Sequence, residues 1–252
     1  MVDAHAHMDK YGADLPRALE EIRARSLLTL AVSMDVSSYR ETLRIAELEP
    51  LVIPSFGIHP WNASHFFRDL PSLDPLVETA PMIGEIGLDH FFVKDEEEFP
   101  AQRVVFEYFL DAAARLGKLI NVHTKGAETE VADALEGRDL PGVILHWYSG
   151  SLGLVDRFLE MGAYFTVGVE VLGSSRVQDL ARNLPLDRLL TETDNPGGWE
   201  WMEGSPGFPH LIERVQETIG EVRGVPADDL EQVVQRNMEG LLRTVGLELM
   251  GD

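Results

Sequence analysis

Short apolar runs, many closing on glycine, histidine or aspartate, recur along the chain. They are Met1–His7, Leu27–Met34, Leu51–His59, Met82–Asp89, Leu119–Gly126, Gly142–Gly150, Ala163–Val171 and Leu189–Pro196. Several are β-branched or leucine-rich and mostly apolar, the pattern of strands covered on both faces. Between them lie stretches with apolar residues three and four apart, which predict helices over Leu15–Arg25, Tyr39–Leu48, Phe99–Leu116, Ser174–Leu184 and Phe208–Arg223. The clearest is Phe99–Leu116, where Phe99, Arg103, Phe106, Leu110, Ala113 and Ala114 follow the period. A last helix is expected over Pro226–Val245, opening on Pro226 and an Ala-Asp-Asp run that suits a first turn. Strand then helix, repeated eight times, predicts a parallel sheet. In a chain of 252 residues it fits a closed (β/α)8 TIM barrel of the α/β class, with a doubly wound open sheet as the structural alternative. No composition break divides the chain, so a single domain over 1–252 is expected.

Composition narrows the chemistry. With no cysteine, disulfides, thiolate metal sites and cysteine nucleophiles are excluded. No apolar run approaches the roughly 18 residues of a membrane span. The start of the chain lacks the basic-then-apolar pattern of a signal peptide, so a cytoplasmic location is expected. The net charge is −22, with 17 arginines and only 4 lysines among the basic residues. Such a surface repels anionic membranes and phosphate backbones, and argues against a broad electrostatic grip on nucleic acid. A solubilising acidic coat is the plainer reading of the charge by itself.

A barrel places its chemistry where strands end. The first run ends on Asp3, His5, His7 and Asp9. Histidines two apart on a strand point the same way, so both imidazoles can face one metal. Glu85 sits in a run of apolar residues and glycines, where a charge needs a partner or an ion. A lone histidine after an apolar run is more often a hydrogen-bonded core residue, but His123 and His146 hold equivalent positions in consecutive units. The last run carries Glu192 and Asp194 on one face. Asp194, nearer the strand end, is expected at the metal, and Glu192 one layer deeper, orienting a ligand histidine. Four histidines and two carboxylates are too many for one four-coordinate ion and about right for two. Their nitrogen and oxygen donors suit Zn, Mn, Fe or Mg rather than soft metals.

These segments resemble the TatD family of metal-dependent deoxyribonucleases, within the amidohydrolase superfamily of barrels. The resemblance is carried by Asp3-Ala-His5-Ala-His7, Gly57-Ile-His59-Pro60-Trp61, the stretch Gly84–Asp89, Gln102-Arg-x-x-Phe106, Val122-His123, the stretch Leu145–Gly150 and Glu192-Thr-Asp194, in family order from residue 1 to about 196. It implies a (β/α)8 barrel whose two divalent metal ions (Zn, Mn or Mg) activate water against phosphodiesters. It further implies that His5 and His7 bind one metal and His123 and His146 the other. Glu85 would bridge them, and Asp194 would be a ligand that also takes the proton of the attacking water. His59 is similar to a family residue near the substrate phosphate, with a loop histidine packed on Trp61 as the alternative.

The mouth departs from the family pattern. Lys125 stands where arginine is usual, and holds a phosphate as a point charge without the bidentate fork. Tyr148 stands where phenylalanine is usual, with Trp147 before it, and the stretch 195–201 is tryptophan-rich. The expected substrate is a DNA end or short single-stranded oligonucleotide, cut as by a 3′–5′ exodeoxyribonuclease, with Lys125 and His59 supplying positive charge. Trp61, Trp147, Trp199 and Trp201 either stack on bases or simply fill the rim. The competing functions are a deacylase, amidase or lactonase acting on a small molecule with the same centre, and a metal-bearing scaffold without turnover. His65, His90 and His210 are read as exposed or outside the metal set. Glu170 is not expected to be a ligand, and Asp35 is read as a helix cap.

Overall fold

The computed structural model describes residues 1–247, so residues 248–252 of the expected 1–252 domain lie outside the described residues. Eight strands form one parallel sheet in chain order: β1 (Val2–Ala6), β2 (Leu28–Val32), β3 (Val52–Phe56), β4 (Met82–Gly87), β5 (Ile120–His123), β6 (Val143–Leu145), β7 (Tyr164–Val167) and β8 (Leu189–Thr191). Each lies inside one of the eight apolar runs. The strands are shorter than the runs because the run tails leave the ladder and become the barrel mouth. The seam between β8 and β1 is bridged by Asp194 N–H to the His5 carbonyl at 2.9 Å and His7 N–H to the Asn195 carbonyl at 2.8 Å. The Thr191 hydroxyl adds a bond to the Val2 carbonyl at 2.6 Å. The sheet thus curls into a barrel, not the open alternative.

The helices are α1 (Leu15–Ala24), α2 (Val36–Leu48), α3 (Ala63–Phe66), α4 (Asp74–Thr79), α5 (Phe99–Leu116), α6 (Glu128–Leu135), α7 (Val155–Glu160), α8 (Ser175–Asn183), α9 (Gly197–Glu203), α10 (Leu211–Arg223) and α11 (Ala227–Thr244). Asp35 caps α2: its carboxylate accepts the Ser38 N–H at 2.8 Å, while the Ser38 hydroxyl accepts the Asp35 N–H at 3.1 Å. The cap starts the helix three residues before the periodic pattern does. α5 has the expected limits and stops at Gly117, whose φ of 64° suits a residue without Cβ. Its buried stripe corrects the expected one. Gln102, Val105, Phe106, Phe109, Leu110 and Ala113 face inward, while Arg103 and Ala114 are exposed. The segment is apolar enough to satisfy more than one helical phase, and packing on β4 selects the phase.

The barrel interior is unusually polar. Asp3, His5, Ser33, Ser55, Asn121, Thr166 and Glu192 are all buried, where a barrel of this kind ordinarily stacks branched aliphatics. Asn121 on β5 reaches across to β1, donating its amide to the Ala4 carbonyl at 2.9 Å. Gly84 makes room for it, since a Cβ there would stand 2.7 Å from the Asn121 Cβ. The register slips within β1 between Asp3 and Ala6 and within β4 between Ile83 and Ile86, in two of the strands that carry the polar cluster.

Candidate metal centre

His5, His7, Glu85 and Asp194 converge although they come from β1, the segment after it, β4 and the segment after β8. His7 lies beyond the end of β1, yet its ring joins that of His5. The Nε2 atoms of His5 and His7 each stand 3.5 Å from Glu85 Oε2, and 3.6 and 3.4 Å respectively from Asp194 Oδ1. Ligands about 2.0–2.2 Å from one tetrahedral ion stand about 3.3–3.6 Å apart, which is the spacing seen. His5 Nε2 and Glu85 Oε2 are buried without a hydrogen-bond partner. Such orphaned atoms are costly unless something binds them. A divalent cation fits this donor set.

The other carboxylate oxygen, Glu85 Oε1, faces His123 Nδ1 at 2.8 Å, His59 Nε2 at 3.5 Å and His146 Nε2 at 3.8 Å. Here His123 already hydrogen-bonds the carboxylate, and an ion on this side would replace that bond. A partner on the far side of each ring fixes which nitrogen is free. Asn121 Oδ1 accepts from His5 Nδ1 at 2.9 Å, Asp89 Oδ2 from His123 Nε2 at 3.0 Å and Glu192 Oε2 from His146 Nδ1 at 2.8 Å. In their neutral forms these rings turn a lone pair toward Glu85, as metal ligands must. His59 is wired the opposite way. Its Nδ1 accepts the Trp61 N–H at 3.2 Å, so its Nε2 carries the proton and donates into the site.

The electrostatics match a place for a cation. Burial would lower the His5 and His123 pKa values, but adjoining carboxylates outweigh it and hold them at about 10 and about 9. Burial dominates at four others, pushing Asp194 up to about 8 and Glu192 up to about 7 and holding His7 and His146 well below the usual histidine range, whereas at Glu85 burial is outweighed by the neighbouring histidines, which hold it well below the usual carboxylate range. Asp194 and Glu192 thus tend to hold protons, while Glu85 stays ionised among the histidines.

A cavity of about 420 Å³ opens above this cluster, lined among others by His7, Lys10, Trp61, Lys125, Trp147 and Trp201. Lys125 Nζ donates to Ser149 Oγ at 2.9 Å and stands 5.4 Å from the Trp147 ring centroid, and burial lowers its pKa. Trp147 is buried, with its indole N–H on Glu170 at 2.6 Å, which gives Glu170 a bracing role. Trp199 is half-buried against the core, whereas Trp61 and Trp201 are exposed. The expected 195–201 mouth loop is largely helix, as α9. His65 is exposed, His90 stacks on Phe99 at 3.8 Å, and His210 pairs with Glu21 at 2.8 Å. Asn121 and Asp89 escaped the sequence reading as partners of the histidines. Asn121 lies two before His123 on β5, and that same-face spacing was the available signal.

A closed (β/α)8 barrel with clustered histidines and carboxylates at its mouth defines a metal-dependent hydrolase. Residues 2–243 match the TatD-related DNase family, and the chain belongs to it. It is 28% identical over 248 residues to an uncharacterized metal-dependent hydrolase, YjjV of Escherichia coli K12, covering 94% of this chain and 95% of that protein. The crystal structure of YjjV superposes with a TM-score of 0.86 at 27% identity, over 96% of this chain and 97% of that one. The human deoxyribonuclease TATDN3 is 26% identical over 255 residues, covering 94% of this chain and 92% of that protein. An amidohydrolase from Burkholderia multivorans, with bound zinc, shares the fold at a TM-score of 0.60 and 13% identity, over 98% of this chain and 99% of that one. Among the described residues no helix is long and apolar enough to cross a membrane.

Proposed function

We propose that the protein is a deoxyribonuclease that removes nucleotides from DNA ends or short single-stranded oligonucleotides, in the 3′–5′ direction, with two divalent ions. The convergence of His5, His7, Glu85 and Asp194 around two orphaned buried atoms carries the reading. Those four residues would hold one ion, and His123 and His146, with Glu85 shared, the other. Bound divalent ions supply an acidified water and a Lewis acid for the phosphoryl oxygen.

The chain's own groups do the rest. Asp194 lines the cavity and accepts the proton of the attacking water. His59 donates through Nε2 toward the developing anion, and Lys125 adds positive charge from the wall. Glu192 and Asn121 hold the rings of His146 and His5 in the orientation the site requires.

Metal analysis followed by activity on end-labelled single-stranded DNA, duplex DNA, RNA and a panel of esters, amides and lactones tests this reading. The expected result is divalent-metal-dependent release of mononucleotides from the 3′ end, weakened by rising salt. Cleavage of acyl substrates with no action on any nucleic acid overturns it.

A further inference from the structure

The aromatic side chains at the mouth form two groups, each with at least one exposed ring over an anchored base. After β3 and β4, Trp61, Phe91 and Phe92 are 46%, 55% and 41% exposed, and the Trp61 and Phe92 ring centroids lie 5.8 Å apart. This group is pinned from below by the buried Asp89. Asp89 accepts the Trp61 indole N–H at 2.7 Å and the backbone N–H groups of Phe91 and Phe92 at 2.9 and 2.7 Å. Across the ring, after β6 and β8, Trp201 is 65% exposed and meets Trp147 edge to face at 6.1 Å. Trp147 is fixed in turn by the Glu170 carboxylate on its indole and by Glu192 on its backbone N–H at 3.1 Å.

Asp89 fixes the Trp61 indole and the backbone of Phe91 and Phe92, and Glu170 and Glu192 fix the buried Trp147 on which the exposed Trp201 rests, so rings stay open to water that apolar burial would ordinarily fold away. Most of the chain's few lysines lie on this side of the barrel. Of the four lysines in a chain of charge −22, Lys10 and Lys125 line the cavity and Lys94 stands 4.9 Å from the Phe91 ring.

We propose that Trp61 with Phe92, and Trp201 braced by Trp147, form two aromatic walls that each take a planar group of the substrate, one on either side of the scissile bond, with the lysines meeting its anionic backbone. In nucleic acid the planar groups are the bases, so the walls select by ring stacking rather than by base identity. This rests on the phosphodiesterase reading of the same site.

The test uses metal-replete protein and two phosphorothioate-linked tetranucleotides: tetrathymidylate and a chain of equal length lacking bases. Binding is followed by tryptophan fluorescence. The thymidylate is expected to quench the signal and bind about tenfold or more tighter than the base-free chain. Trp201→Ala and Phe92→Ala are each expected to remove most of that preference by weakening thymidylate alone. Trp61→Phe, which keeps a ring, is expected to retain more of the preference than Trp61→Ala. Equal affinity for the two chains, or variants that weaken both alike, overturns the walls. The phosphodiesterase reading is judged separately by cleavage of the same two chains with ordinary phosphate linkages. If neither is cut under any divalent metal that reading fails, whereas cutting of both with equal KM leaves it standing and removes the walls.

Discussion

Asp194 is the residue on which chemistry and coordination meet. Its carboxylate stands within 3.6 Å of two imidazole nitrogens and lines the cavity. Asp194→Asn keeps an oxygen toward the site but no longer takes a proton, so kcat is expected to fall about 10²–10⁴-fold. Elemental analysis beside steady-state kinetics checks this, and undiminished turnover at full metal loading contradicts it. Glu192 acts through its partner. Glu192→Gln presents a weaker acceptor to His146 Nδ1, and metal affinity is expected to drop about 10–100-fold by calorimetric titration. The candidate ligands were legible in sequence because charged and imidazole side chains recur at equivalent ends of several apolar runs, where a lone one would more often be a core residue. Asn121 was marked only by its same-face spacing to His123, which does not say that its amide will reach His5 and the Ala4 carbonyl on the far side of the barrel.

At the scale of elements, all eight strands fell within the expected runs, since a strand buried on both faces reads as a mostly apolar run even where a few inward residues are polar. The long helices α5, α10 and α11 were legible for the complementary reason, as each spans enough turns for its stripe to repeat. The short helices α3, α4, α6, α7 and α9 were not, because one or two turns show no period. The Asp35 cap links both levels. Asp35→Ala is expected to lower stability by about 1 kcal/mol through the lost bond to the Ser38 N–H, read from the denaturant midpoint at unchanged slope. A variant as stable as the parent would deny the cap its role.

For the whole molecule, metal binding and proton binding oppose each other. His5 and His123 hold protons up to about 10 and about 9 because carboxylates outweigh their burial. At neutral pH a cation must displace those protons. Apparent metal affinity is therefore expected to fall as pH falls, with protons released on loading. Calorimetry in two buffers of different ionisation enthalpy reads the release, and a pH-independent affinity contradicts it. Removing the metal should also lower the unfolding temperature, since ligand at about 1,000 times its Kd adds about 4 kcal/mol to the native state. The net charge of −22 argues against a long electrostatic track along a duplex, but not against a short contact at a cavity lined by two of the four lysines.

The sequence alone determined the strand–helix alternation, the α/β class with the barrel as its best fit, and most of the residues that converge at its mouth, because apolar periodicity and misplaced charge are local properties of a chain. Only the tertiary structure decided the rest. It set which imidazole nitrogen faces Glu85, the reach of Asn121 from β5 to β1, the inward phase of α5 and the grouping of Trp61 with Phe92 against Trp147 with Trp201. These depend on distances between residues far apart in the chain, which closing the sheet into a ring fixes and no local pattern encodes.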